Sequence, residues 1–107
     1  MEKVDSLKDV IGAKVAIMVE IMTHILGCSY SDAYYIVVGS DTYHLMQEQV
    51  YKTLHDSPQA NLSDIGEELR KAGDRLGQLI TDTSIKRAML EMREENIRKT
   101  SVAEYDR

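Results

Sequence analysis

The sequence predicts an all-α, single-domain bundle of four to five helices with a central hydrophobic helix 1 and a long helical C-terminal segment. Twelve of the seventeen residues in VIGAKVAIMVEIMTHIL, residues 10–26, are apolar, and a helix that is apolar around most of its circumference must be covered from several sides. Apolar residues also recur at alternating spacings of three and four between residues 62 and 83. Phe and Trp are absent, which suits helix packing better than a sheet sandwich.

Helix 1 is expected from about Ser6 to Leu26. Asp5 or Ser6 can cap its start, and Gly27 stands where a helix C-cap glycine is preferred. Its longest unbroken apolar run covers only residues 15–19, whereas a membrane span needs about 20 predominantly apolar residues. We therefore expect a soluble protein with no membrane partner, in which helix 1 is buried.

Helix 2 is expected over residues 33–38, AYYIVV, with Ser31 or Asp32 as its cap. The same residues are also the best strand formers of the chain, so a strand is the alternative. A single short strand would have no second strand to pair with. The pattern favours the helix, and the strand stays open.

Helix 3 is expected to reach Leu54 or His55, with Ser40 or Asp41 as its cap. Its apolar face has helical spacing and consists of Tyr43, Met46, Val50 and Leu54. The only proline, Pro58, marks the clearest loop of the sequence.

The C-terminal segment begins with a heptad seam that predicts a helix packed lengthwise against a neighbour. The seam consists of Leu62, Ile65, Leu69, Ala72, Leu76, Leu79 and Thr83. Gly66, Gly73 and Gly77 each cost roughly 1 kcal/mol in a helix interior, which indicates a kink or a close helix contact. Residues 81–84, TDTS, favour a break, although a continuous helix stays open.

A last helix is expected from residue 85 to about residue 99. The domain then covers residues 1–100, and residues 101–107, SVAEYDR, are expected to fray.

Charge and cysteine content restrict the partners and the compartment. The net charge is −5, and residues 1–60 hold eight acidic and four basic side chains. Such a surface disfavours nucleic acid and favours a basic protein partner. A single cysteine, Cys28, cannot form an internal disulfide, and the N-terminus has no signal-peptide pattern. We therefore expect a cytoplasmic protein.

The sequence predicts no enzyme, no metal and no cofactor. His24 and Cys28 are four residues apart, which supplies half of a transition-metal site, but no second pair of ligands follows. A cysteine nucleophile would also need an orienting acid and an oxyanion pocket. The glycines are isolated, unlike those of a phosphate-binding loop.

One stripe on helix 3 could form a partner surface. It follows spacings of four, three and four, beside the apolar face, and consists of His44, Glu48, Tyr51 and His55. The two histidines are about 16 Å apart along a helix, too far to share one metal ion. The alternative is that these residues only flank the core. We expect charges introduced on this stripe to spare the fold, and a charge at Ile17 or Ile21 to unfold it.

Four short segments carry a family resemblance: Ile25-Leu26-Gly27, Ser31-Asp32-Ala33-Tyr34, Tyr51-x-x-Leu54-His55 and Asn61-Leu62-x-x-Ile65. Through them residues 16–69, about half of the chain, resemble a group of small bacterial helical proteins of unknown function. Some of these are suspected antitoxins of ADP-ribosyltransferase-like toxins. The long helical C-terminal third departs from that pattern. The resemblance implies a partner-binding role and no catalytic residues.

The expected function is therefore that of a small binding or regulatory protein that acts by protein-protein contact and is antitoxin-like. One alternative is an acidic inhibitor of a nucleic-acid-binding enzyme, suggested by the charge of residues 1–60. Another is a structural homodimer built from the heptad seam and helix 1.

Overall fold

The computed structural model describes the backbone of residues 2–105 and the side chains of residues 9–99. Residues 2–105 form seven α-helices and no strand, which confirms the all-α prediction. In chain order the helices are α1 (Glu2–Leu26), α2 (Tyr30–Val38), α3 (Asp41–Glu48), α4 (Val50–Thr53), α5 (Pro58–Lys71), α6 (Leu76–Leu79) and α7 (Asp82–Tyr105). The strand alternative for residues 33–38 is excluded, because α2 contains them. The molecule measures 47 × 41 × 22 Å, so its thinnest dimension is about two helix diameters.

Helix α1 lies at the centre of the fold, as the sequence predicts. It packs against α2, α5 and α7. Its buried residues are joined in one core by residues from five other helices or the turns beside them. This core consists of Val15, Met18, Val19, Ile21, Met22, Ala33, Val37, Met46, Leu62, Ile65, Ile80, Ile85 and Ala88.

One side of α1 is left partly uncovered. Val10 is 39% exposed and Ile17 is 43% exposed, whereas Ile21 is 1% exposed. The expectation that a charge at Ile17 unfolds the domain is therefore not supported by the packing. It applies to Ile21, whose side chain lies inside the core.

No single helix within residues 2–105 is long and apolar enough to cross a membrane. Residues 9–26 of α1 meet the length and hydropathy requirement only together with α2, and the two helices are bent by 119°. The bend lies in the connection between the two helices, directly after Gly27. This glycine has a φ of 64° and donates its backbone N–H to the carbonyl of Thr23.

The ends of α1 and the start of α2 differ from the predicted caps at two places. Helix α1 begins at Glu2, so Asp5 and Ser6 lie inside it and do not cap it. Helix α2 is capped by Ser29, whose hydroxyl accepts the backbone N–H of Asp32 at 3.1 Å. The predicted caps Ser31 and Asp32 lie in the first turn of α2 instead.

The start of α3 is capped twice. Ser40, one of the two predicted caps, accepts the backbone N–H of Tyr43 at 3.1 Å. The carboxylate of Glu68, from α5, accepts the backbone N–H groups of Asp41 and Thr42, both at 2.9 Å. A negative charge at this end also complements the helix dipole.

The helix predicted to run to Leu54 or His55 is divided into α3 and α4. Gln49 leaves the helical region with φ −121° and ψ 52°. The predicted apolar face still turns inward: Met46 is buried, and the half-buried residues are Tyr43, Val50 and Leu54.

The heptad seam is correct as far as Leu69 and wrong beyond it. Gly73 has a φ of 76° and donates to the carbonyl of Arg70, while Asp74 donates to that of Leu69. This pair of bonds is a Schellman motif, which ends α5 and redirects the chain. The remaining seam positions therefore do not form one buried line: Leu76 is half-buried, and the exposed ones are Ala72, Leu79 and Thr83.

The short helix α6 folds back against α5 through two glycines. A Cβ on Gly66 would collide with the carbonyl of Ile80, and a Cβ on Gly77 would collide with the backbone of Arg70. The guanidinium of Arg70 also donates to the carbonyls of Gly77 at 2.6 Å and Ile80 at 2.9 Å. Two of the three seam glycines therefore permit close contact, and the third, Gly73, permits the turn.

The predicted break at residues 81–84 is present. Thr81 and Ser84 exchange hydrogen bonds between side chain and backbone N–H, at 2.9 and 3.1 Å, in the manner of a capping box. Helix α7 starts there and continues to Tyr105, past the predicted end near Lys99. Fraying of residues 101–107 stays a prediction, and residues 106 and 107 lie outside the described part.

Two glutamate substitutions on α1 test which face of this helix is buried. Ile21→Glu is expected to lower the free energy of unfolding by more than about 3 kcal/mol, because it places a charge in the core. Ile17→Glu is expected to change it by less than about 1 kcal/mol, because that side chain reaches solvent. Urea unfolding followed by circular dichroism measures both. Equal losses for the two variants would contradict this packing.

Two glycine substitutions check the contact between α5 and α6. Gly77→Ala is expected to destabilise the fold by about 1–3 kcal/mol, because the new methyl group overlaps the backbone of Arg70. Gly12→Ala meets no atom within 4 Å and is expected to stabilise the fold by up to about 1 kcal/mol through helix propensity. Thermal melts compare them, and a stabilising Gly77→Ala would show that α6 does not pack as described.

Candidate functional site

A groove of about 670 Å³ lies between α1 and the helices α2, α3 and α4. We call it the tyrosine groove, because four tyrosines line it. The full lining consists of Ile11, Gly12, Val15, Ala16, Tyr30, Tyr34, Val38, Tyr43, Gln47, Val50 and Tyr51. None of these side chains carries a charge.

The floor of the tyrosine groove is one stripe of α1. Ile11 and Val15 are one turn apart, as are Gly12 and Ala16, so the four residues share one face of the helix. Gly12 has no side chain, and apart from the adjacent residues and the backbone of its own helix no atom lies within 4 Å of the position that a Cβ would take there. The floor is therefore apolar, with an open space at its middle.

Tyrosines from α2 form one wall. Tyr30 and Tyr34 are one helical turn apart and are 52% and 43% exposed. The ring of Tyr34 meets that of Tyr35 edge to face, with 6.0 Å between the ring centroids. Tyr35 itself is 69% exposed and does not line the groove.

The opposite wall comes from α3 and α4. Gln47 donates its side-chain amide to the hydroxyl of Tyr43 at 2.8 Å, which holds both side chains in place. Tyr51 on α4 is 75% exposed and stands at the rim. The polar atoms around the groove are thus phenolic hydroxyls and one amide, which can donate or accept hydrogen bonds.

Lys14 fixes the position of α4. This lysine is buried, and its ammonium donates to the backbone carbonyl of Thr53 at 2.6 Å. A helix of four residues is not stable by itself, and a cation suits the carbonyl end of a helix. Lys14, which interrupts the apolar run of helix 1 in the sequence, therefore positions the helix that carries Tyr51.

The predicted stripe on helix 3 is distributed over two helices and a turn. His44 and Glu48 belong to α3, Tyr51 belongs to α4, and His55 follows α4. All four are exposed, and of these only Tyr51 lines the tyrosine groove. A role of the whole stripe as partner surface stays a prediction.

Sequence reasoning missed Tyr30, Tyr34 and Tyr43 as site residues. A signal was present, because five of the six tyrosines lie within residues 30–51. Spacing along one helix could not relate the four groove tyrosines, since they come from α2, α3 and α4, which meet only in the folded chain.

A second cleft, of about 480 Å³, adjoins the first between α1, α2 and α7. We call it the polar cleft; its lining consists of Glu20, Thr23, His24, Cys28, Tyr30, Met92, Glu95, Asn96 and Lys99. The two ring nitrogens of His24 face different carboxylates, with Nδ1 4.0 Å from Glu91 and Nε2 3.9 Å from Glu95. Within the described side chains, no group of three or more His, Cys, Asp or Glu could hold a metal ion.

A pKa shift occurs on α5, away from both clefts. Burial raises the pKa of Asp64, and the carboxylates of Asp56 and Glu67 raise it further. An acid whose pKa rises on folding favours the folded state most below its unfolded value, near 3.8, and loses that contribution as the pH rises through the folded value. Asp64 lines neither the tyrosine groove nor the polar cleft.

No family model, curated protein or solved structure matches the chain. The resemblance of residues 16–69 to suspected antitoxins therefore stays a prediction.

The role of Lys14 can be tested with a second lysine as control. Lys14→Met is expected to lower the free energy of unfolding by about 1–3 kcal/mol, because it leaves the carbonyl of Thr53 without its partner. It should also speed amide hydrogen exchange in α4. Lys52→Met, at an exposed position of α4, removes the same charge without that bond. Equal effects of the two variants would contradict the positioning role.

Proposed function

We propose that this protein acts by binding another protein, and that the tyrosine groove is its contact surface. The observation that carries the proposal is the combination of an apolar floor, four tyrosines and no charged lining residue. Tyrosine is enriched at protein interfaces, because its ring contributes a large apolar area and its hydroxyl can still form a hydrogen bond.

The exposure of the rim favours a protein over a small molecule. A volume of about 670 Å³ would also suit a small ligand, but ligand pockets enclose most of what they bind. Tyr51 and Tyr30 are 75% and 52% exposed. A partner surface laid across the groove would cover these rings, and buried tyrosines are frequent hot spots of binding energy.

The antitoxin-like function is the finer part of the proposal. The tyrosine groove is built from residues 11–51, which overlap residues 16–69, the part of the chain that resembles the suspected antitoxins. In this proposal the partner is an enzyme, the contact blocks it by occlusion, and the chain supplies no catalytic group. We place the contact in the cytoplasm, where the free thiol of Cys28 remains reduced.

A photo-crosslinking experiment tests the proposal. Tyr51 is replaced by p-benzoylphenylalanine, which the exposed position accommodates without repacking, and the full chain is irradiated in its native host. The expected result is a light-dependent adduct between this chain and one other protein, which mass spectrometry identifies. Tyr34→Ala in the same chain should reduce the yield of the adduct, because it removes part of the groove wall.

Tyr35 provides the matched control. It is an equally exposed tyrosine of α2 that does not line the groove, so p-benzoylphenylalanine there should give no such adduct. Equal adducts at both positions, or none at Tyr51, would contradict the groove as contact surface. An adduct of twice the 12.1 kDa chain mass would instead identify a homodimer and reject a separate partner.

A further inference from the structure

The tyrosine groove and the polar cleft adjoin each other at Tyr30. Tyr30 lines both, so the wall of the first is also the boundary of the second. On α1, the last floor residue of the groove is Ala16 and the first cleft residue is Glu20, which places them one turn, or about 6 Å, apart along the helix axis. A single partner segment lying along α1 would therefore contact both.

The two parts of this surface differ in charge. The groove has no charged lining residue. The cleft is lined by the carboxylates of Glu20 and Glu95, and a third, that of Glu91, lies 4.0 Å from the ring of His24. Lys99 is the one lysine or arginine in the lining. The lining therefore holds two carboxylates against one lysine, and a segment that complements both parts is apolar at one end and carries a basic residue at the other.

The helices that form the tyrosine groove, α1 to α4, also carry a net negative charge. Residues 1–60, which contain α1 to α4, hold eight acidic and four basic side chains, and one of those bases, Lys14, is buried against the carbonyl of Thr53. Residues 82–99 of α7, on the other side of the cleft, are nearly balanced, with four acidic and five basic side chains. The field of α1 to α4 attracts cations and repels phosphate groups. It favours a basic protein segment over nucleic acid.

We propose that the partner contributes an amphipathic helix with a basic residue. Its apolar side chains enter the tyrosine groove, and a lysine or arginine one turn further along pairs with Glu20 and Glu95. From Ile11 to His24 the surface follows α1 for about 20 Å, which matches a partner helix of about 13 residues. This inference rests on the proposed function, and it defines the chemistry of the partner.

A peptide selection on the full chain tests the inference. A displayed library of helix-forming peptides of about 16 residues, which covers the surface with a margin, is selected against the wild-type protein and against Glu20→Gln/Glu95→Gln. The wild type is expected to enrich peptides with a lysine or arginine three or four residues from a large apolar side chain. The double variant should not enrich that base.

Titration of the best selected peptide against the full chain measures its affinity. Its affinity is expected to fall about tenfold in Glu20→Gln/Glu95→Gln, since two partly exposed ion pairs are lost, and to fall with rising ionic strength. Bound peptide should also slow the alkylation of Cys28, which lines the cleft. Asp64→Asn/Glu67→Gln is the control, because it removes two equal charges from α5, outside both linings.

The outcomes separate this inference from the proposed function. Selected peptides without a base, or an unchanged affinity in Glu20→Gln/Glu95→Gln, would overturn the basic partner while leaving the groove as a binding surface. An equal loss in the control variant would also overturn it, because net charge and not the cleft would then govern binding. If the selected peptides bind Tyr34→Ala as tightly as the wild type, the groove is not the contact surface, and the proposed function fails first.

Discussion

The burial of one face of α1 is the interaction on which the rest of the structure depends. Met18, Val19 and Met22 are fully shielded from solvent, and α2, α5 and α7 each pack against this helix. Because the stabilisation grows with the apolar area removed from water, the longer helices are arranged to cover that face. The other side of α1, with Val10 and Ile17, is left partly exposed, and the tyrosine groove and the polar cleft both lie along this helix.

The short helices are held by charged side chains of the long ones. Glu68 of α5 accepts hydrogen bonds at the start of α3, Lys14 of α1 donates at the end of α4, and Arg70 of α5 donates at the end of α6. In each case the sign of the charge complements the helix dipole. Helices of four to eight residues are marginal by themselves, so these bonds, together with core contacts, determine where the short helices lie.

This arrangement explains why the candidate site lies where it does. The tyrosine groove forms where the face of α1 that carries Ile11 and Val15 meets α2, α3 and α4, and its far wall depends on one buried lysine. A floor on the long helix α1 and a wall of short helices suit binding by contact, because segments with few buried contacts are the ones that adjust most easily to a partner. The carboxylates of Glu20 and Glu95 line the adjoining cleft. They would orient a bound segment, because they favour a basic residue at that end of it.

By itself the sequence determined the fold class, the central helix and several helix ends, because these depend on composition and on residues close together in the chain. Gly27 and Ser40 are of this kind: each acts on backbone groups within four residues. The tertiary structure alone decided the rest. Heptad spacing continues unchanged across Gly73, where the chain turns, because periodicity does not register a change of direction. In the sequence Lys14 only interrupts an apolar run, because the carbonyl that it binds, that of Thr53, is 39 residues further along the chain. The tyrosine groove likewise exists only after folding, because its walls come from separate helices whose meeting depends on long-range packing and not on any local pattern.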